Sequence, residues 1–179
     1  MVEELKKDFD LEEEWVAYEI HPETPPDGVL LADRFRGANL EGMFANLRRA
    51  GAPYGIEFGE VSLLSNSRLA LLAGEFARDL GRFHEFHGLV FEAYFNQGLD
   101  IGDVDVLLDL VGRAGLDPEA CKADLSEKRY HSRLEAARNE ALERAINAVP
   151  AFFIGNEGIR IVGAQPIENF RQALAKVTG

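Results

Sequence analysis

Helical periodicity fills the middle of this chain, and short segments of β character bracket it. From about residue 40 to residue 146, apolar residues recur every three or four positions, the spacing of one face of an α-helix. Residues 13–20 and 151–162 have strand patterns instead. A strand joined to a later strand through a long helical crossover predicts a βαβ unit with a parallel strand pair. We therefore expect an α/β fold whose sheet is mixed, because the chain closes with a hairpin and a helix.

The strand patterns differ on the two sides of the helical region. Residues 13–20 (Glu-Glu-Trp-Val-Ala-Tyr-Glu-Ile) are apolar on both faces apart from their acidic ends, which is typical of a strand covered on two sides. A proline-dense loop over 21–28 follows and can continue neither a strand nor a helix. Near the C-terminus, residues 151–154 and 159–162 flank Gly-Asn-Glu-Gly, which predicts a β-hairpin.

The helices are predicted from apolar stripes and from capping residues. Val2, Leu5 and Phe9 indicate a helix over residues 1–9. Capping side chains are expected at Asn66, Asp103 and Asp117, the last followed by proline. The predicted core positions are Leu40, Phe44 and Leu47; Leu69, Leu72, Phe76 and Leu80; Phe83, Phe86, Val90 and Tyr94; Val104, Leu107, Leu108 and Val111; Tyr130, Leu134, Ala137 and Ala141 on a helix from about 127 to 146; and Ile167, Phe170, Leu174 and Val177.

The charge and the cysteine count limit the function. The 179 residues carry a net charge of −12, so nucleic acid and anionic membrane surfaces are not expected as partners. No apolar run reaches the roughly 18–20 residues of a membrane span, and the first residues lack the apolar stretch of a secretory signal, so we expect a cytoplasmic location. Cys121 is the one cysteine, which rules out an intramolecular disulfide and a thiolate zinc site within this chain.

Several stretches along the chain together carry a family resemblance. They are Glu-Ile-His-Pro-Glu-Thr-Pro-Pro-Asp-Gly (19–28), Asn-Ser-Arg-Leu-Ala (66–70), Phe-His-Glu-Phe-His-Gly-Leu-Val-Phe-Glu-Ala-Tyr-Phe (83–95), Ile101-Gly102, Gly115-Leu-Asp-Pro118, Ala-Val-Pro-Ala-Phe-Phe-Ile-Gly (148–155) and Gly163-Ala-Gln-Pro166. In their order and spacing they resemble the DsbA-like oxidoreductases of the FrnE type, over essentially the whole chain.

The resemblance implies a thioredoxin-like sheet with an inserted all-helical subdomain. We expect the core over residues 1–29 and 146–179 and the helical insertion over 30–145. It also implies thiol–disulfide exchange by a Cys-x-x-Cys pair at the start of the first long helix. This chain departs from the pattern, because that pair and the first core strand are absent from the 179 residues. We expect the unpaired sheet edges to be repaired by a homodimer or by a new neighbour for residues 13–20.

Substrate-binding candidates cluster around the predicted hairpin. The family resemblance implies that the Val149–Pro150 bond is cis and that the backbone of Val149 pairs with an extended substrate segment. Gln165 is expected either to contact the substrate backbone or to cap the last helix. His21 is expected either beside the cleft or simply at the end of the strand. No residue of this chain is predicted to be catalytic or to bind a metal.

Three other groups have a structural interpretation beside a functional one. Cys121 is interpreted as a small buried apolar residue rather than as a nucleophile, because free cysteines are most often buried and this position does not match the family's reactive cysteines. His84 and His87 share a helix face but lack further metal ligands, so we interpret them as core or interface histidines. Asn66 and Arg68 lie near positions that help to hold glutathione in the related kappa-transferase and hydroxychromene-carboxylate-isomerase branch, although a helix cap also explains Asn66.

The leading functional hypothesis is a DsbA-like dithiol–disulfide oxidoreductase that acts on thiol, disulfide or peptide substrates and is inactive as this chain stands. It needs no cofactor. A glutathione-dependent transferase or isomerase, which would use glutathione, and a non-catalytic peptide-binding or dimerisation module are the alternatives.

Overall fold

A computed structural model describes residues 1–155 and 158–177 together with the main chain of Thr178. The chain divides into two compact units. The smaller unit contains Met1–Val16 and Asn139–Gly179, and the larger unit contains Ala17–Arg138. The domain boundaries predicted at residues 30 and 145 stay a prediction.

Helices and two small sheets make up the described part of the chain, so the predicted α/β class is confirmed. The elements in chain order are α1 (Val2–Leu5), β1 (Val29–Leu30), α2 (Leu31–Arg34), α3 (Leu40–Gly51) with a short 3-10 turn (Ala52–Tyr54), β2 (Leu63–Leu64), α4 (Arg68–Asp79), α5 (Phe83–Phe91) continued by a π-helical turn (Glu92–Asn96), α6 (Val104–Arg113), α7 (Pro118–Ser126), α8 (His131–Glu143), β3 (Ala151–Ile154), β4 (Ile159–Val162) and α9 (Ile167–Thr178).

The larger unit has a helical core. α4, α5, α6 and α7 contribute its most deeply buried side chains, because each helix presents one apolar stripe to the others. Fully burying a leucine or phenylalanine contributes about 1.5–3 kcal/mol. The largest side chains with almost no exposed surface in this core are Phe86, Leu72, Leu107, Leu110, Val111 and Cys121.

The predicted caps are confirmed at the starts of α6 and α7. The Asp103 carboxylate accepts a hydrogen bond from the backbone N–H of Asp105 at 2.8 Å, and the Asp117 carboxylate accepts one from Glu119 at 2.9 Å. The Asn66 side chain accepts from the N–H of Arg68 at 3.0 Å, but the N-cap of α4 is Ser67, one residue later than predicted, and its side chain makes no capping hydrogen bond. Local side-chain chemistry therefore sets where α6 and α7 begin.

Predicted core positions at the helix ends are exposed. Leu80 follows the last residue of α4 and Val104 is the first residue of α6, with 54% and 37% of their surfaces exposed. Val177, near the end of α9, is 36% exposed. The prediction was wrong at these positions because an apolar stripe extends past the point where its helix meets a neighbour.

The charged helix that was predicted from residue 127 begins later. Lys128 has a backbone φ of 58°, a left-handed conformation that interrupts the helical path. The turn closes α7 through the N–H of Arg129, which donates to the carbonyl of Asp124 at 3.1 Å. α8 consequently starts at His131 and ends at Glu143.

The smaller unit is built on the predicted hairpin, which is confirmed. β3 and β4 pair antiparallel in the register Ala151–Val162 through Ile154–Ile159, and the turn residues Asn156 and Glu157 lie outside the described residues. Phe170 of α9 packs on Phe152 with ring centroids 4.9 Å apart. α9 thus covers one face of the hairpin.

The first helix is shorter than predicted. α1 spans four residues, and the chain then turns, with the N–H of Phe9 donating to the carbonyl of Leu5 at 3.0 Å. Leu5 and Phe9 still reach the same apolar cluster as α9. The apolar spacing therefore marked the buried Leu5 and the partly buried Phe9 correctly, whereas Val2 is outside this cluster and the backbone is helical over only about half of the predicted range.

Residues 13–20 do not form the predicted strand. No other strand lies beside them in the described ranges, and an extended segment without a ladder partner cannot satisfy a strand's hydrogen bonds. A side-chain ion pair anchors the segment instead, because the buried carboxylate of Glu19 lies 3.0 Å from Arg68.

The expected parallel strand pair is also wrong for the described residues, since both sheets, β1–β2 and β3–β4, are antiparallel.

A polar network that is buried at Tyr130 and exposed at Asp79 and Arg133 connects α4 to the start of α8. Arg133 donates to both oxygens of Asp79, at 2.6 and 3.2 Å, and the buried hydroxyl of Tyr130 lies 3.1 Å from the same carboxylate. The hydrogen bond from Arg133 lowers the pKa of Asp79 more than burial raises it. Burial and the hydrogen bond to Asp79 raise the pKa of Tyr130 to about 12.

We predict that Asp79→Asn destabilises the protein at neutral pH by about 1 kcal/mol, because it removes the charge of a carboxylate that makes a two-point but solvent-exposed pair with Arg133. A carboxyl whose pKa is lowered in the folded state stabilises that state above its unfolded pKa of about 3.9, and the effect disappears as the pH falls through the folded pKa. Urea unfolding across pH should therefore show a constant gap between parent and variant near neutrality that closes in acid. Asp109→Asn, an exposed control on α6, should change stability by less than about 0.5 kcal/mol at any pH. A gap that persists unchanged in strong acid would contradict this explanation.

Candidate functional site

The candidate site is the outer edge of β3 in the smaller unit. The carbonyl of Pro150 accepts a hydrogen bond from the N–H of Gly163 at 2.7 Å, which makes these two residues a hydrogen-bonded pair. In an antiparallel ladder such pairs alternate with non-bonded pairs. The N–H and C=O groups of Ala151 and Phe153 consequently point away from β4, toward the other edge of β3.

This outer edge has no strand partner within the part of the chain that the structure describes. Val149 and Pro150 lie at its start, both exposed, and 40% of the surface of Val149 is open. The peptide bond between them is cis. An edge of this kind can accept another extended segment through main-chain hydrogen bonds.

Packing holds β3 in place from both faces. Phe152 is fixed by its edge-to-face contact with Phe170 on the α9 side. On the opposite face, the guanidinium of Arg144 lies over the ring of Phe153, 4.7 Å from its centre. The open edge is therefore part of a preorganised strand.

A second arginine ties β4 to the end of α8. Arg160 donates to the carbonyls of Arg144 and Ala145 at 3.3 and 3.0 Å, and so satisfies acceptors that a helix leaves free at its C-terminus. Neither Arg144 nor Arg160 is predicted from the sequence. No local signal marks them, because their contacts join residues up to sixteen positions apart.

The other predicted substrate-binding residues are held by nearby groups. The Gln165 amide donates to the carbonyl of Val162 at 3.0 Å and accepts from Asn169 at 2.8 Å, so its side chain ties the hairpin to the first turn of α9. His21 belongs to the larger unit, where its Nδ1 lies 3.3 Å from the Glu23 carboxylate.

Cys121 is unsuited to attack a disulfide. Its side chain has no exposed surface in the core of the larger unit. Burial, reinforced by the nearby carboxylate of Asp124, raises the pKa of its thiol to about 11. Because the thiolate is the nucleophile in disulfide exchange, this thiol is both inaccessible and protonated at neutral pH.

The histidines on α5 lie among aromatic rings. His87 lies between Phe83 and Phe91, with centroid distances of 5.4 and 4.3 Å, and burial lowers the pKa of its imidazole. His84 is exposed and contacts the edge of Phe83. Across residues 1–155 and 158–178, no cluster of three or more histidine, cysteine or acidic side chains is arranged to hold a metal ion.

The residues that raised the glutathione alternative bind their own chain. The Asn66 amide donates to the carbonyl of Thr24 at 2.6 Å, and Arg68 pairs with Glu19 at 3.0 Å.

Among the described helices, none is both long and apolar enough to cross a membrane.

Comparison with known proteins places the chain in a family. The family model of the DSBA-like thioredoxin domain matches residues 1–175. The protein YwbO of Bacillus subtilis (strain 168), described as uncharacterized, is 31% identical over 177 residues, which cover 97% of this chain and 86% of YwbO.

Two solved structures share the fold. A probable DsbA oxidoreductase, SCO1869 from Streptomyces coelicolor, superposes with a TM-score of 0.82 at 23% identity, covering 90% of this chain and 73% of that one. A putative protein disulfide isomerase from Nitrosomonas europaea superposes with a TM-score of 0.64 at 14% identity, covering 86% and 77%. The fold is accordingly thioredoxin-like, as the sequence resemblance implied, and the chain belongs to the family of DSBA-like thioredoxin domains.

Proposed function

We propose that this chain holds an extended polypeptide at the outer edge of β3, as the substrate-binding part of a thiol–disulfide exchange site. The observation that carries the proposal is the set of backbone groups at Ala151 and Phe153 that point away from β4 beside the exposed Val149–Pro150 segment. The family and the printed names of the two structural neighbours support disulfide exchange as the chemistry that such binding serves.

The binding step uses main-chain hydrogen bonds. A substrate segment laid along β3 donates its N–H groups to outward carbonyls and accepts from the outward N–H groups of Ala151 and Phe153. Because these contacts involve only backbone atoms, they accept many substrate sequences. The exposed apolar side chain of Val149 adds contact area at the start of the strand.

The exchange step needs sulfurs that this chain does not supply. A thiolate attacks one sulfur of the substrate disulfide, a mixed disulfide forms, and the other substrate sulfur leaves as a thiolate. A second thiol then attacks the mixed disulfide and releases the reduced substrate. The 179 residues contain only Cys121, which is buried, so we propose that the chain binds substrate but performs no exchange by itself.

The sequence resemblance to the FrnE type supports the same assignment within the family. The predicted homodimer could affect substrate binding, depending on the surface through which it forms. A dimer formed by pairing two β3 edges would occupy the binding surface. A dimer formed through another surface would leave the edge open to substrate.

We predict that the chain does not accelerate the reduction of insulin by dithiothreitol, measured as the turbidity of the precipitating B chain. The parent and Cys121→Ala should both follow the time course of dithiothreitol alone, because the buried thiol cannot form a reactive thiolate. Acceleration that disappears in Cys121→Ala would show that Cys121 is reactive and would overturn the proposed division between binding and exchange.

We predict that the chain binds reduced, carboxymethylated insulin B chain, a thiol-free extended probe, and that Ala151→Pro weakens this binding about tenfold or more. Proline removes an outward N–H and places its ring at the β3 edge, yet it breaks no bond to β4. Calorimetric titration measures the affinity.

Val162→Pro is the matched control, because Val162 is the cross-strand partner of Ala151 and its backbone groups point to the outer edge of β4. Binding should survive in this variant. Equal loss of affinity in both variants, or no binding by the parent, would contradict the assignment of the site to β3. Circular dichroism should show that both variants remain folded.

A further inference from the structure

α3 is an amphipathic helix whose apolar face is covered only in part by its own chain. Among its twelve residues only Gly51, the last, is buried. Leu40, Phe44 and Leu47 form the apolar stripe but are only half-buried, and 41% of the surface of Met43 is exposed. A helix of this length is marginal without tertiary packing, so the stripe is a surface that gains stability when it is covered.

The charged residues beside this stripe are acidic at the start of the helix and basic at its end. Glu41 is in the first turn, and Arg48 is in the last turn, seven residues later. Seven residues are nearly two full turns, so both side chains lie on the same flank of the stripe. Within the described ranges, neither Glu41 nor Arg48 forms an ion pair inside the chain, which leaves both charges available to a partner.

We propose that α3 pairs antiparallel with α3 of a second copy of this chain. A twofold axis that passes between residues 44 and 45 places position 41 of one helix opposite position 48 of the other, on the same flank, and the contact occurs twice. Glu41 then faces Arg48 of the second copy in both halves of the interface. In an isologous contact the same surface patch of both subunits must be complementary to itself. A helix with an acidic residue near its start and a basic residue near its end brings opposite charges together only when the two copies pair antiparallel.

The residues around the midpoint fit such a contact. Phe44 lies beside the axis, within the apolar stripe. The antiparallel arrangement also sets the partial positive charge at each helix N-terminus beside the negative C-terminal end of its partner.

Apolar surface that flanks α3 in sequence adds to the contact area. The face of a twelve-residue helix is about 18 Å long and by itself falls short of the roughly 800 Å² that each partner buries in a standard interface. A recess of about 460 Å³ adjoins α3 and is lined in part by Leu31, Leu40 and Phe44. The exposed apolar neighbours are Leu30, Phe35, Tyr54 and Ile56. Together they form a small interface, and association in the micromolar range is expected.

Charge reversal and sedimentation velocity test this pairing. The full chain should show a concentration-dependent monomer–dimer equilibrium. Glu41→Arg and Arg48→Glu should each weaken the dimer about tenfold or more, because each change turns both symmetry-related attractions into repulsions. The combined variant Glu41→Arg, Arg48→Glu restores opposite charges at both contacts and should dimerise again.

Arg113→Glu is the matched control, because it makes the same charge change on α6, where Arg113 lies 3.9 Å from Asp109 in its own helix. Its dimer should match the parent. A monomeric parent, a dimer that ignores both single reversals, or a combined variant that stays monomeric would overturn the proposal. The inference does not rest on the proposed function, since binding of carboxymethylated insulin B chain at β3 should be the same in the parent and in all of these variants.

Discussion

Main-chain hydrogen bonding of β3 along only one of its edges is the constraint on which the functional interpretation depends. β4 satisfies the inward groups of the strand, whereas the outward groups of Ala151 and Phe153 face no other strand in the described chain. The lack of a ladder partner also accounts for residues 13–20, which have the composition of a doubly covered strand but remain irregular. Both features express the same rule, that a strand exists only where a neighbour pairs with it.

The larger unit is stabilised by interactions that do not involve this edge. Its helices bury their apolar stripes against one another, and the carboxylate of Asp79 joins α4 to Tyr130 and Arg133 in a satisfied polar network. Tyr130 is the buried member of this network, and its hydroxyl finds its hydrogen-bond partner in the Asp79 carboxylate. α3 is the exception, since its stripe meets little of the described core.

The proposed function separates binding from chemistry. The thioredoxin-like hairpin, held by Phe170 on one face and Arg144 on the other, presents a rigid strand edge. Disulfide exchange requires accessible thiols of moderate pKa, and Cys121 is buried with a pKa of about 11. Membership of the DSBA-like family describes the scaffold, and the one thiol within these 179 residues is the buried Cys121.

The sequence alone determined whatever depends on near neighbours along the chain. Apolar periodicity and turn residues predicted α3, the hairpin and α9, and capping chemistry located the starts of α6 and α7, because these signals act within a few residues. The Val149–Pro150 segment was also selected from the sequence, through the family resemblance. Only the tertiary structure decided that residues 13–20 form no strand, that Arg133 reaches Asp79 across 54 positions, and that Arg144 and Arg160 support β3 and β4. Each of these depends on a partner far away in the chain, and local residue patterns carry no information about which distant groups will meet.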